Sequence, residues 1–398
     1  MHSRLEAELE QLLDEPVCAA GAREQSTFDS YAARYDGRVV LFGAGKLGRK
    51  LLAATARTQI ANIVAFADNN TSLRGTRIDG VPVLSVADAA ALHGTSAVFV
   101  VSIWTAEGAG RFEERIAELR AQGCETVVPF GYLAWKLSGQ ALPHWAVDMP
   151  TKVLKQAAEI RRCARLWADE SSQREFVAQL RWRLHFDFEG LPPVASGDQY
   201  FPADLIPLRE DESFVDCGAF DGDTLQVFLD KCGGRFRSAV CFEPDGGNCE
   251  RLRRYVATLP PGCRERIAVR QCAVGARDAG VRFTAAGDTS SRVGTGDMVV
   301  EGVTLDAALD GIAPSFLKFD IEGAEPEALE GARRIIAGGR PVIAVCVYHT
   351  QDHLWQLPLA IQALQPDYRF FLRPYKQVWE LVCYAVPAER LSAGYAVD

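Results

Sequence analysis

The sequence predicts an α/β protein of two parallel-sheet units in tandem, a smaller one near the N-terminus and a larger one that closes on an antiparallel hairpin. Three observations carry the prediction. A strand, a glycine turn, a helix start and a second strand ending in an acid occur twice, in residues 38–68 and again in 214–245. From Ser213 onward strand and helix patterns alternate regularly. The chain then ends in two strand patterns, Tyr368–Arg373 and Trp379–Val386, with no room for a helix between them, so they must pair as a hairpin.

Bulk properties narrow the function classes. The 398 residues suffice for two domains and a helical connector. A net charge of −9 disfavours a broad electrostatic grip on nucleic acid. No apolar run approaches membrane-spanning length, and the opening MHSRLEAELEQLLDE reads as an acidic amphipathic helix without a secretory core. The 11 cysteines are scattered, with no CxxC pair, and Cys241, Cys346 and Cys383 fall inside apolar strand patterns. Buried reduced thiols in a cytoplasmic protein are expected, with no structural metal.

Taken in order, residues 1–35 are helical, with Leu5, Leu9, Leu12 and Leu13 on one face. Residues 36–140 form the smaller unit. Its strand Arg38–Phe42 runs into Gly43-x-Gly45-x-x-Gly48 at a helix start, and its second strand, Asn62–Ala67, ends at Asp68. That is the pattern of a dinucleotide-binding turn, and equally of a Rossmann-like scaffold that binds nothing. Further strands are expected at 97–103 and 126–130, with a helix near 111–121. Residues 141–212 form a connector, helix-patterned from Lys152 to Trp182 and then a Pro/Gly-punctuated loop, LPPVASGDQYFPADLIPL. In that loop Tyr200 is a candidate to fold over a ligand mouth, or to pack between domains.

Residues 213–398 form the larger unit. Strands are expected at 214–217, 239–242, 267–272, 316–319 and 342–348, and helices at 223–231, 246–257, 325–337 and 354–364. The stretch FVDCGAFDGDT joins a buried strand to a glycine turn and a helix start, which offers free N–H groups to an anion. The next strand ends in Glu243-Pro244-Asp245, where a carboxylate suits the two donors of a ribose diol. Asp320 and Glu322 follow the fourth strand, at the carboxyl edge where open α/β sheets place ligands. They are candidates to orient an acceptor hydroxyl, take its proton or hold a divalent ion, whereas Glu325 reads as an acid complementing the following helix. His349, just past the fifth strand, is a candidate base or a histidine bonded to loop backbone. Asp288, Ser290, Ser291 and Arg292 form a polar loop that either reaches an acceptor or is a surface hairpin.

Two resemblances attach to these motifs. LFGAGKLG, AFADNN and GTRIDGVPVLSVADA resemble the N-terminal domain of PglD-like sugar acyltransferases, where the domain holds a nucleotide sugar. FVDCGAFDGDT, CFEPD, VTLDAAL, FLKFDIEGAEPEALEGA and VIAVCVYHTQDHLWQLP resemble the FkbM family of S-adenosylmethionine (SAM)-dependent O-methyltransferases. Five parallel-type strands followed by a terminal hairpin resemble the class I SAM-methyltransferase fold. One departure is the turn itself, which has Ala219 and Phe220 where many such enzymes are richer in glycine.

The second resemblance implies SAM as cofactor and a small-molecule acceptor, a sugar or related metabolite, methylated on a hydroxyl. It implies that the methionine carboxylate meets the backbone at Gly218 and Ala219, within a site taking in Phe220, Gly222 and Thr224. Asp216 then faces the ammonium, Glu243 with Pro244 the ribose, and Cys272 with Ala273 the adenine. Asp320, Glu322 and His349 become the catalytic candidates. Tyr200, Ser290, Ser291 and Arg292 are acceptor candidates, as are Gly43, Gly45, Gly48 and Asp68 if the smaller unit holds the acceptor or its carrier. The rival readings are an NAD-dependent oxidoreductase working at Gly43, Gly45, Gly48 and Asp68, and a non-catalytic nucleotide-sugar-binding protein.

Overall fold

A computed structural model describes residues 3–104, 111–284, 292–293 and 298–395. The smaller unit is a six-stranded sheet built from β1 (Arg38–Phe42), β2 (Asn62–Ala67), β3 (Arg77–Ile78), β4 (Val81–Leu84), β5 (Val98–Val101) and β6 (Val127–Pro129). Its order is β3-β4-β2-β1-β5-β6, parallel except for the β3–β4 pair. Val39 to Phe42 are all buried, as helices on both faces of a parallel sheet require. The β3–β4 hairpin is absent from the sequence reading. Its turn is Asp79-Gly80, both at positive φ (47° and 84°), the geometry for which Asp-Gly is suited.

The larger unit is a seven-stranded sheet. It contains β7 (Ser213–Cys217), β8 (Ser238–Phe242) and β9 (Ile267–Arg270), then, after an insertion, β14 (Phe316–Phe319), β15 (Val342–Cys346), β16 (Arg369–Pro374) and β17 (Leu381–Val386). The insertion is a four-stranded sheet of β10 (Ala273–Val274), β11 (Ala279–Thr284), β12 (Arg292–Val293) and β13 (Met298–Val303), in the order β10-β13-β11-β12. The main sheet runs β16-β17-β15-β14-β7-β8-β9, and only β17 is antiparallel to its neighbours. The expected terminal hairpin is therefore present. Strand order reverses at β7, which lies between β8 and β14, and open α/β sheets leave a ligand crevice beyond the carboxyl ends at such a point.

The connector is three helices, Pro150–Lys155, Ala157–Ala164 and Glu170–His185, where the sequence reading has one continuous pattern. The last helix begins afresh at Asp169, whose carboxylate accepts the Ser172 N–H at 2.8 Å. It covers the edge strand β16: Ser172 Oγ accepts the Leu372 N–H (2.9 Å), and Arg373 pairs with Asp169 at 2.5 Å. An exposed edge is thereby closed to further strand pairing. The two units also share an aromatic joint. Trp104, just past β5, stacks on Trp182 of the connector with ring centroids 5.5 Å apart, and lies 5.5 Å from Trp379 of the terminal hairpin. Gln377 in the same hairpin accepts the Phe112 N–H at 2.7 Å.

Candidate functional site

The larger glycine turn leaves β7 at Gly218, with φ of +82°. A Cβ there would lie 1.9 Å from the Asp320 carbonyl oxygen, so only glycine lets β7 and β14 end side by side. The Gly218 and Ala219 N–H groups both donate to the Phe242 carbonyl at 3.0 Å. Phe220, at φ +46°, donates its N–H to Glu243 Oε2 at 2.9 Å. These donors are already committed inside the protein. A cofactor carboxylate meeting Gly218 and Ala219, as expected, would share donors that the Phe242 carbonyl already accepts. The helix Asp223–Cys232 starts at this edge after Gly222 (φ +100°), and its Thr224 N–H is accepted by Asp223 Oδ1 at 2.6 Å.

Glu243 ends β8 and is 5% exposed. Its Oε1 accepts the Asp245 N–H at 2.9 Å and the Asn248 side chain at 3.4 Å. Burial pushes its pKa up to about 6 against the pull of those hydrogen bonds. Pro244 follows it, half-buried. Asp216 does not reach the crevice surface. It is fully buried, and Oδ1 lies 2.9 Å from Lys318 Nζ, off the line of a hydrogen bond. Burial lifts Asp216 to about 6, although Lys318 opposes the shift. Lys318 also donates to the Gly218 carbonyl at 2.6 Å, which ties the turn to β14. Sequence reading misses Lys318. Its signal is a lysine alone among the apolar residues of FLKF, affordable inside a buried strand only with a counter-ion.

Beyond the ends of β14 and β15, five side chains converge. His349 is 1% exposed. Its Nδ1 lies 2.7 Å from Glu325 Oε1, and its Nε2 lies 3.3 Å from Asp320 Oδ1 and 3.9 Å from Glu322 Oε2. Tyr200 donates its hydroxyl to Asp320 Oδ2 at 2.8 Å. Burial alone would lower the His349 pKa, but Glu325 and Glu322 outweigh it and hold the imidazole well above its usual range. The surrounding acids therefore favour the protonated imidazole over a base of near-neutral pKa. Asp320 is shifted the other way: burial would raise it, but the His349 imidazole 3.3 Å away and the Lys318 charge hold it well below the usual carboxylate range.

Glu325 is more than a helix-start acid. It accepts the Ile321 N–H at 2.9 Å, is fully buried, and orients His349. Tyr200 buries its ring, leaving 8% exposed, and its hydroxyl bonds Asp320. The third strand ends at Arg270, so Cys272 and Ala273 lie where the chain leaves the main sheet for the insertion, both buried. Asp288, Ser290 and Ser291 lie outside the described residues; Arg292 begins β12, paired with Thr284 of β11. Asp320, Glu322 and His349 each bring one ligand-type atom within 4.8 Å of the others, which adds His349 to the two carboxylates already named as candidates to hold a divalent ion.

The smaller unit places its predicted residues together as well. Asp68 accepts the Ala44 N–H and the Asn70 N–H, each at 2.7 Å. Gly43 sits at φ +116° against Ile103, and a Cβ on Gly48 would lie 2.1 Å from the Gly43 carbonyl oxygen. Gly45 faces open space, with nothing within 4 Å of its missing Cβ. The aromatic joint links the two regions, since Trp379 lies 5.0 Å from Trp145 and Trp145 lies 5.7 Å from His349, between ring centroids.

The larger unit thus has a reversal of strand order at β7, a glycine turn closed by Glu243, and an acid–histidine group beside it. Residues 216–373 match the Methyltransferase FkbM domain. The matched FkbM domain runs from Asp216 in β7 to Arg373 in β16, and so contains the turn, Glu243 and the Asp320–His349 group. The crystal structure of a methyltransferase FkbM from Methylobacillus flagellatus KT is similar over 96% of this chain and 98% of its own, with 25% identity and a TM-score of 0.75. That likeness extends over both units. The methyltransferase domain of bacterial CtHen1-CN covers 44% of this chain and 91% of its own at 14% identity, with a TM-score of 0.28. No curated protein matches the chain. The matched region makes the larger unit similar to FkbM methyltransferase domains. Among the described residues no helix is long and apolar enough to cross a membrane.

Proposed function

We propose that the protein is a SAM-dependent O-methyltransferase acting on a hydroxyl of a sugar or related small metabolite. The observation that carries this reading is the juxtaposition, at the reversal of strand order, of the Gly218 turn with Glu243 on one side and Asp320 on the other. The donor set fits SAM. Glu243 retains lone pairs for a ribose diol, the helix start beyond Gly222 suits a carboxylate, and the acids at the rim favour a ligand bearing an ammonium and a sulfonium. When bound, SAM supplies a methyl group activated on sulfur.

The protein's own contribution is placement and electrostatics. Lys318 and Asp216 brace the turn from below. Tyr200 and His349 fix Asp320, and Glu325 fixes His349. A carboxylate so held can accept the hydrogen bond of an acceptor hydroxyl and aim its oxygen along the line of transfer, which is where most of the acceleration is expected. The Asp320 and Glu322 side chains are 23% and 18% exposed, and so face the crevice from which an acceptor enters. The aromatic joint through Trp145 supports a role for the smaller unit in holding the acceptor or its carrier.

The test is transfer of labelled methyl from SAM to a panel of sugar and polyol acceptors. Wild-type protein should methylate a member of the panel, and Asp320→Asn should slow the single-turnover rate by about 10²–10⁴-fold. Transfer by the variant at the wild-type rate would remove Asp320 from the reaction.

A further inference from the structure

We infer that Asp320, Glu322 and His349 form a binding site for one divalent cation at the rim of the crevice. Asp320, Glu322 and His349 each bring one ligand-type atom to within 4.8 Å of the other two. The separations from His349 Nε2, 3.3 Å to Asp320 and 3.9 Å to Glu322, compare with about 3 Å between adjacent ligands that each lie ~2.1 Å from a metal.

An acidic cluster alone would not identify a site. The second observation is His349. Its side chain is wholly buried, its Nε2 points into the group, and that atom has no hydrogen-bond partner; neither has Asp320 Oδ1. The other ring nitrogen, Nδ1, is tied at 2.7 Å to the fully buried Glu325. A carboxylate behind a histidine that presents its far nitrogen to a shared point is the arrangement that orients metal-ligating imidazoles and sets their tautomer. Glu325 is itself held, by the Ile321 N–H at 2.9 Å.

The chemistry of the ligand set selects the ion. Two carboxylates and one imidazole suit a borderline first-row cation such as Mn²⁺, whereas Ca²⁺ takes six to eight oxygens and thiolate-rich sites take softer metals. Three protein ligands leave positions open, and both carboxylates face the crevice. An acceptor with neighbouring hydroxyls could occupy those positions, where a cation would lower the hydroxyl pKa and stand in for the base that a His349 coordinated through Nε2 cannot be. That role rests on the methyl-transfer reading; the binding site does not.

The experiment is titration of the EDTA-stripped full chain with Mn²⁺, reading free Mn²⁺ by electron paramagnetic resonance, with SAM affinity measured separately by calorimetry. Wild-type protein should take up one equivalent. Glu322→Gln and His349→Ala should each weaken uptake at least tenfold, and Glu325→Gln by about 10- to 100-fold, the range for loss of an orienting partner. Glu322 lies at the rim, so Glu322→Gln carries the test if His349→Ala does not fold. No uptake by wild-type protein, or uptake unchanged in Glu322→Gln, would overturn the site and leave a proton on His349 as what balances the acids. SAM binding without Mn²⁺ uptake refutes the cation site alone. Mn²⁺ uptake without SAM binding supports the site and counts against the methyl-transfer reading.

Discussion

At the smaller glycine turn, the acid that ends the second strand, Asp68, accepts one N–H from the turn, that of Ala44, and one from its own loop, that of Asn70. At the larger turn Glu243 does the same with Phe220 and Asp245. The two clamps are built alike, and what differs is the strand beside each. β5 delivers Ser102, whose Oγ lies 3.0 Å from the Phe42 and Gly43 carbonyl oxygens, and Ile103, which fills the place of a Gly43 side chain. β14 delivers Lys318 within its length and Asp320 and Glu322 just beyond its end, and β15 leads to His349. A glycine fingerprint thus sets the shape of a turn, while the capacity for chemistry comes from the neighbouring strand ends.

The glycines give the widest expected separation between the two turns. Gly218→Ala places a Cβ 1.9 Å from the Asp320 carbonyl oxygen at a φ of +82°, whereas Gly45 has nothing within 4 Å of its missing Cβ. Gly45 also has an ordinary φ of −77°. Gly218→Ala should therefore cost about 3 kcal/mol or more, and Gly45→Ala should change stability by no more than about 0.5 kcal/mol. Urea denaturation of both variants measures this. Equal losses would mean that both turns need glycine for internal packing, and the contrast would fail.

A smaller effect separates Glu243 from an ordinary surface acid. Its folded-state pKa is raised from 4.5 to about 6 by burial. The folded protein therefore holds that proton more tightly than the unfolded chain does. The resulting stability is full below pH 4.5 and is lost as pH rises through 6, amounting to about 2 kcal/mol. Glu243→Gln should flatten the stability profile between pH 4.5 and 7 relative to wild type. An unchanged slope would show that the carboxylate is not desolvated, and so does not close the turn as described.

Much of this fold is legible in the sequence because its signals are local. Gly43-x-Gly45-x-x-Gly48 and Gly218 to Gly222 mark two turns, and the absence of helix-length sequence between Tyr368–Arg373 and Trp379–Val386 forces the hairpin. The insertion between β9 and β14 is not legible. Its strands are short, and two of them, β10 and β12, are two-residue ladders whose pairing is set by neighbours distant in sequence. The break in the connector helix is likewise set from outside, by β16 holding Asp169 and Ser172.

The site divides in the same way. Asp320, Glu322, His349 and Glu243 are visible as polar residues at strand ends. Their protonation states are not, because those depend on partners brought together by folding. His349 looks like a base until Glu325, 24 positions earlier, is found 2.7 Å from its ring. Asp216, an expected cofactor contact, has Lys318 2.9 Å away on the adjacent strand, a partner that its own stretch of sequence does not show.

The central claim is that the cofactor belongs to the larger turn and not to its look-alike. Calorimetric titration of SAM into wild-type protein, Glu243→Ala and Asp68→Ala, each confirmed as folded, tests it most directly. One SAM should bind per chain, with Glu243→Ala weakening it by about 1.5–3 kcal/mol, roughly 10- to 100-fold, and Asp68→Ala leaving it unchanged. SAM affinity that survives Glu243→Ala and falls with Asp68→Ala would contradict the account.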